Sequence, residues 1–167
     1  FGWRFSSVVF GSLLVLMTIR LARRLSRSTM VGAIAGILLA LDGLAFVMSR
    51  IGLLDIFQAF FLVAGVSAVA ADRDWFRHRL ADHLRTIGNP HLDGDFGPAL
   101  GWRPWRLVTG IMFGLACGTK WNSMFVLATM GIVSVIWDWS ARRLAGAGTK
   151  AWWSFLRDGV PAFVYLV

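Results

Sequence analysis

The sequence has no glutamate at all, and its only cysteine is Cys117. Its nine acids are therefore all Asp, set against 17 Lys and Arg, and charged residues of both signs make up only 16% of 167. A lone cysteine excludes an internal disulfide framework. So little charge excludes an ordinary water-soluble domain, in which about 25% of residues are charged. Disorder is excluded as well, because it requires low hydrophobicity. There is no Gly-rich phosphate loop, no Ser/His/Asp arrangement, no internal repeat and no low-complexity tract. Neither His78, Asp82 and His83 nor His91, Asp93 and Asp95 has the spacing of a metal-ligand set. No cofactor is expected, and any metal requirement is left open. No signal-peptide pattern precedes the first apolar stretch. A chain running from Phe1 into an apolar stretch at 160–167 reads as an internal piece of a longer membrane protein.

What the sequence does have is apolar surface: 57% hydrophobic residues and a mean hydropathy of +0.65. A helix crosses about 30 Å of hydrocarbon with about 20 mostly apolar residues. Spans are expected at about 5–22, 30–48 and 51–71. The long apolar run 107–137 carries Lys120 near its middle and is split there, giving 105–119 and 121–139. A further span starts at 159–167. The expected fold is an all-α membrane protein, a polytopic transmembrane helix bundle.

The net charge of +8 fits either nucleic acid or the inner face of a membrane, and its distribution decides between them. Fourteen of the 17 basic residues fall on one side, twelve in the segments after the first, third and fifth spans and Arg20 and Arg106 at the span ends that adjoin them. Only Arg4, Arg50 and Lys120 remain for the opposite side. The positive-inside rule makes the first side cytoplasmic, including the loop 72–104. No interleaved basic and aromatic patch points to nucleic acid. Within that loop Trp75, Phe76, Leu80, Leu84 and Ile87 recur at helical spacing, as expected of an amphipathic helix lying on the inner leaflet. Asn89-Pro90 and the run 91–95 read as a turn. Gly32 with Gly36, and the ladder Gly110, Gly114, Gly118, place small residues where helices pack closely.

Ionisable groups inside a membrane are candidate functional residues because each costs about 2.5–3.5 kcal/mol to insert at mid-bilayer. Asp42, Arg50, Asp55 and Lys120 all fall, by the parity of the spans, in the outer half of the bilayer. Two acids and two bases gathered on the otherwise uncharged side suggest a site. A structural clamp between Arg50 and Asp55, with Lys120 reaching to the interface, is the competing reading. A transporter or channel path lined by the four charges is a second rival, although the interrupted repeats of transporters are not visible.

Three motifs then come together. Phe1-Gly2-Trp3-Arg4-Phe5 leads into a span ending Leu21-Ala22-Arg23-Arg24-Leu25. The segment from Asp42 to Asp55 contains Ser49-Arg50 followed by Leu54-Asp55, a Ser-Arg-x-x-x-Leu-Asp pattern. Gly114, Gly118, Lys120 and Trp121 form Gly-x-x-x-Gly-x-Lys-Trp. In order and spacing they resemble the protein O-mannosyltransferases, most closely the actinobacterial type. The resemblance implies part of a GT-C-type glycosyltransferase fold in the plasma membrane, acting on the external face. It implies a glycosyltransferase moving mannose from polyprenyl-phosphate mannose to Ser or Thr of secreted proteins. Another GT-C transferase using a different polyprenyl-phosphate sugar is the alternative. The family's acidic pair in its first external loop, where its catalytic base is expected, would lie upstream of Phe1. With no glutamate in the 167 residues, the segment alone is expected to be inactive. Carried onto this sequence, Arg50 matches the family's functional Arg, and Asp55 and Lys120 the acid and the base of its motifs; as cations near a phosphodiester donor, Arg50 and Lys120 are expected to contact its phosphate. Asp55 is expected to hold Arg50 in position, Asp42 to orient a sugar hydroxyl or a neighbouring helix, and Ser49, Trp121 and Asn122 to line the same pocket.

Overall fold

In a computed structural model, residues 2–88, 92, 102–148 and 153 are described. They form six helices: α1 (Gly2–Ser26), α2 (Thr29–Leu41), α3 (Gly43–Ile51), α4 (Leu54–Ile87), α5 (Pro104–Thr119) and α6 (Ser123–Leu144). There is no strand among the described residues. Three of these helices, α1 from Arg4, α4 and α6, are long and apolar enough to cross a membrane. Large apolar side chains such as Phe5, Leu16, Leu38 and Ile132 stand exposed along α1, α2 and α6. Such surface suits hydrocarbon, where helices satisfy their own backbone groups, and would be a liability in water. The protein is an all-α membrane protein.

The chain forms two compact units, Phe1–Ala70 with Val108–Leu127, and Ala71–Leu107 with Ala128–Val167. In the first, α2 packs on α1 through two glycines. A Cβ at Gly32 would lie 2.9 Å from the Ile19 carbonyl oxygen, and one at Gly36 only 2.2 Å from Ile19 Cγ1. Only the missing side chains allow this approach. The expected ladder behaves differently: a Cβ at Gly114 or Gly118 would meet nothing within 4 Å. Phe10 of α1 meets Phe57, Phe60 and Phe61 of α4, with ring centroids 4.8, 5.0 and 5.6 Å away. Gly65 of α4 faces the Phe113 ring of α5, which an added Cβ would approach to 2.8 Å.

The single helix expected at 30–48 is broken at Asp42. Its carboxylate accepts the Ala45 N–H at 3.0 Å and caps α3, while its own N–H donates back to Leu39. A side chain that satisfies the free N–H groups of a new helix start makes a break cheap at that point. The helix expected over 51–71 starts later, at Leu54, and runs on to Ile87. Gly52, at φ 75°, closes α3 in the left-handed region, and its N–H donates to Met48 at 3.2 Å.

In the second unit, the amphipathic stretch of the 72–104 segment is the continuation of α4, and it is covered by protein. Phe76 and Leu80 are buried with Leu92, Ala145 and Ala147, and Trp75, Leu84 and Trp139 pack alongside. Leu92 N–H donates to the Ala145 carbonyl at 2.7 Å. The apolar stripe thus finds a partner within its own chain, not in the leaflet; only Ile87 stands exposed. The turn expected at 89–95, apart from Leu92, and the span expected at 159–167 lie outside the described residues.

Candidate functional site

The junctions α3–α4 and α5–α6 belong to the same unit and carry the candidate residues. α5 ends at Thr119, and Lys120 follows with its N–H donating to Ala116 at 3.0 Å. Residues 120–122 turn the chain, with Ser123 N–H donating to Lys120 and Met124 N–H to Trp121. On α4, Asp55 lies in the first turn. Lys120 Nζ donates to Asp55 Oδ1 at 2.7 Å. The carboxylate sits at a helix N-terminus and the ammonium just past a helix C-terminus, so each helix dipole favours the charge at its end. The side chains of Lys120 and Asp55 remain 48% and 34% exposed. An ammonium has three N–H donors, so pairing with Asp55 leaves two directions for another anion.

Asp55 was expected to hold Arg50 and instead pairs with Lys120. Arg50 lies in the last turn of α3, where its guanidinium lies 5.3 Å from the Phe46 ring centroid. A guanidinium over an aromatic face keeps its planar fork available while the ring stabilises the charge. Asp42 stands at the other end of α3, eight residues from Arg50 or about 12 Å along a helix, and its carboxylate is engaged as the cap. Trp121 and Asn122 are exposed in the turn beside Lys120, and the Trp121 ring lies 6.3 Å from that of Phe125. The side chain of Ser49 lies outside the described residues.

Two residues beside this pair escaped the sequence reading. Gln58 Nε2 donates to Ser123 Oγ at 2.8 Å, and Ser123 Oγ donates to the Ala116 carbonyl at 3.1 Å. The signal was present, since Gln58 is the only glutamine in the sequence and falls in an apolar run.

A second polar cluster, in the other unit, joins residues that no sequence motif connects. Arg103 engages Asp72 through Nε and Nη2 and Asp138 through Nη1 and Nη2. Arg106 donates to the same two carboxylates. Arg103 is buried, and its guanidinium carbon lies 4.9 Å from the Phe76 ring centroid, with that of Arg142 at 5.2 Å. Burial works to lower the Arg103 pKa, but Asp138 and Asp72 outweigh it and hold it above its ordinary value. By the positive-inside rule Arg103 and Arg106 count as orientation signals. They are also two halves of a charge-balanced lock, which requires the tertiary pairing of residues 72, 103, 106 and 138.

The helices and the polar junction define a membrane-embedded helical protein with paired charges at helix ends. Residues 1–79 match the sequence profile of the family described as dolichyl-phosphate-mannose-protein mannosyltransferase. The polyprenol-phosphate-mannose–protein mannosyltransferase of Mycobacterium tuberculosis is 43% identical over 143 residues, covering 86% of this chain and 27% of the relative. That of Mycolicibacterium smegmatis is 43% identical over 142 residues, covering 85% and 27%. That of Corynebacterium glutamicum is 41% identical over 166 residues, covering 99% and 32%. Over most of its length the chain is similar to members of this protein mannosyltransferase family, a family of GT-C membrane glycosyltransferases, and it spans about 30% of the length of these curated relatives. No solved structure matches it.

Proposed function

We propose that the protein containing this segment transfers mannose from polyprenyl-phosphate mannose to Ser or Thr hydroxyls of secreted proteins. On this reading it resides in the cell membrane, its basic loops face the cytoplasm, and its site opens to the outside. One observation carries the proposal. The family-type Lys120 and Asp55 stand 2.7 Å apart at a junction that also presents Arg50.

The donor is a phosphodiester with one negative charge. In the transfer, the acceptor hydroxyl oxygen forms a bond to the anomeric carbon as the bond from that carbon to the phosphate oxygen breaks. The electron pair stays with the departing lipid phosphate, which gains a negative charge, and the hydroxyl proton passes to a base. That base is expected in the family's acidic external loop, which is not among these 167 residues. Cations beside the departing phosphate stabilise the transition state more than the bound donor, and that difference is what lowers the barrier. Arg50 supplies a fork for two phosphate oxygens, and Lys120 a compact point charge. Asp55 holds Lys120 in place until the donor arrives. Trp121 and Asn122 line the approach to Lys120.

The test is to incubate the full-length protein with labelled polyprenyl-phosphate mannose and a Ser/Thr-containing peptide. Label in the peptide supports the proposal. Label carried only from a different polyprenyl-phosphate sugar would overturn the donor assignment, and no label from any donor would overturn the transferase reading.

A further inference from the structure

We infer that Gln58 and Ser123 are positioning residues that fix where the Lys120 ammonium stands, independently of its pairing with Asp55. The functional part of this inference rests on the phosphate role proposed above.

Asp55 and Gln58 lie three residues apart on α4, so they share one side of the helix. Lys120 and Ser123 are spaced by the same three residues across the α5–α6 turn. The result is two rungs between the same pieces of chain, Asp55 to Lys120 and Gln58 to Ser123, each joining residues 65 apart in sequence. The rungs differ in kind. The first is charged and half-exposed, so a phosphate arriving at Lys120 competes with Asp55 for the same ammonium. The second is neutral, and Ser123 is 1% exposed.

Ser123 both donates and accepts. Its single O–H donates to the Ala116 carbonyl while its oxygen accepts from Gln58, so the direction of the hydroxyl is determined. The Ala116 carbonyl collects the Lys120 N–H at 3.0 Å, the Thr119 hydroxyl at 2.7 Å and the Ser123 hydroxyl at 3.1 Å. Ala116 is itself buried. The backbone of Lys120 is thereby tied through Ala116 and Ser123 to Gln58 on α4. When the charged rung opens to a phosphate, the neutral rung keeps the turn where it was. An amide suits this task better than a carboxylate, because a second anion beside Lys120 would compete with the substrate for it.

The test uses the full-length protein and two readouts: the acylation rate of the Lys120 amine, followed by mass spectrometry, and transfer kinetics with labelled polyprenyl-phosphate mannose. Gln58→Ala is expected to raise Lys120 acylation several-fold. It should lower kcat about tenfold, the scale of one lost hydrogen bond, with donor KM little changed. Ser123→Ala, which removes a single oxygen from a buried position, should do the same if Gln58→Ala expresses poorly. In a Lys120→Ala background, Gln58→Ala should have no further effect on kcat, because its action runs through Lys120.

Wild-type acylation and kcat in Gln58→Ala and Ser123→Ala would overturn the inference. So would a tenfold loss that persists undiminished in the Lys120→Ala background, since Gln58 would then act elsewhere. If Lys120→Ala itself transfers mannose at the wild-type rate, the phosphate role falls. The acylation rate still decides whether Gln58 and Ser123 hold the lysine.

Discussion

Asp55 Oδ1 and Lys120 Nζ stand 2.7 Å apart although 65 residues separate them, each at the helix end whose dipole favours its charge. The pair joins the start of α4 to the end of α5 and leaves half of the lysine open. A cation held in place by an acid, yet still accessible, is what an incoming phosphate requires.

If Arg50 and Lys120 contact the departing phosphate, Arg50→Ala and Lys120→Ala in the full-length protein should each lower kcat about a hundredfold, the scale of one lost transition-state donor. Insertion and expression should remain normal, as checked by membrane fractionation. Wild-type transfer in both variants would end the assignment.

Exchanging the charged partners separates pairing from chemistry. The double variant D55K/K120D keeps an ion pair across the junction but moves the cation to α4 and places each charge against its helix dipole. Thermal stability in detergent should fall by less than in either single variant, while mannose transfer stays near the background. Recovered transfer would show that the position of the cation is immaterial.

Asp42 is already occupied as the cap of α3, so its role should be insensitive to charge. Asp42→Asn retains a capping oxygen and should keep transfer within about twofold and stability near wild type. Asp42→Ala should cost about 0.5–2 kcal/mol, the usual range for a lost cap. A large loss of kcat in Asp42→Asn would instead give the carboxylate a part in sugar binding.

The α1–α2 contact depends on Gly32, where an added Cβ would meet the Ile19 carbonyl oxygen at 2.9 Å. Backbone cannot yield as a side chain does, so Gly32→Ala should separate the two helices and lower the melting temperature. Gly114→Ala, with open space around it, should leave the melting temperature unchanged or raise it, since alanine favours a helix over glycine by about 1 kcal/mol.

Removing Arg103 would leave the carboxylates of Asp72 and Asp138, among the described residues, to share Arg106. Breaking a buried pair from one side costs about 3–5 kcal/mol. Arg103→Ala should therefore destabilise the protein strongly, and Arg103→Lys should not rescue it, because one ammonium cannot serve two carboxylates as the guanidinium fork does. Differential scanning fluorimetry in detergent reads both.

The chain's class was legible in composition. A 57% apolar chain with 16% charge has no means of building a soluble surface, and its long apolar runs have to be helices because hydrocarbon offers no partner for open backbone groups. The polar residues Arg50, Asp55 and Lys120 were legible for the same reason, as expensive exceptions within apolar sequence. Which of them pair was not legible. Adjacency in sequence favoured Arg50 with Asp55, but the fold carries the α5–α6 turn to α4 and gives Asp55 to Lys120.

The same limit explains the other differences. Sequence periodicity marked Phe76 and Leu80 as one apolar stripe without saying what covers it, and the covering residues Ala145 and Ala147 lie 65–71 residues away. Hydropathy ran smoothly through Asp42, whereas the hydrogen bond to Ala45 makes it a helix start. By itself the sequence determined the solvent, the helical class and which charged residues are costly within apolar sequence, because those follow from transfer free energies of single side chains. Only the tertiary structure decided the partners, Lys120 for Asp55, Ser123 for Gln58, and Asp72 with Asp138 for Arg103. Hydrogen bonds and ion pairs act over about 3 Å, and residues distant in sequence come that close only once the helices have packed.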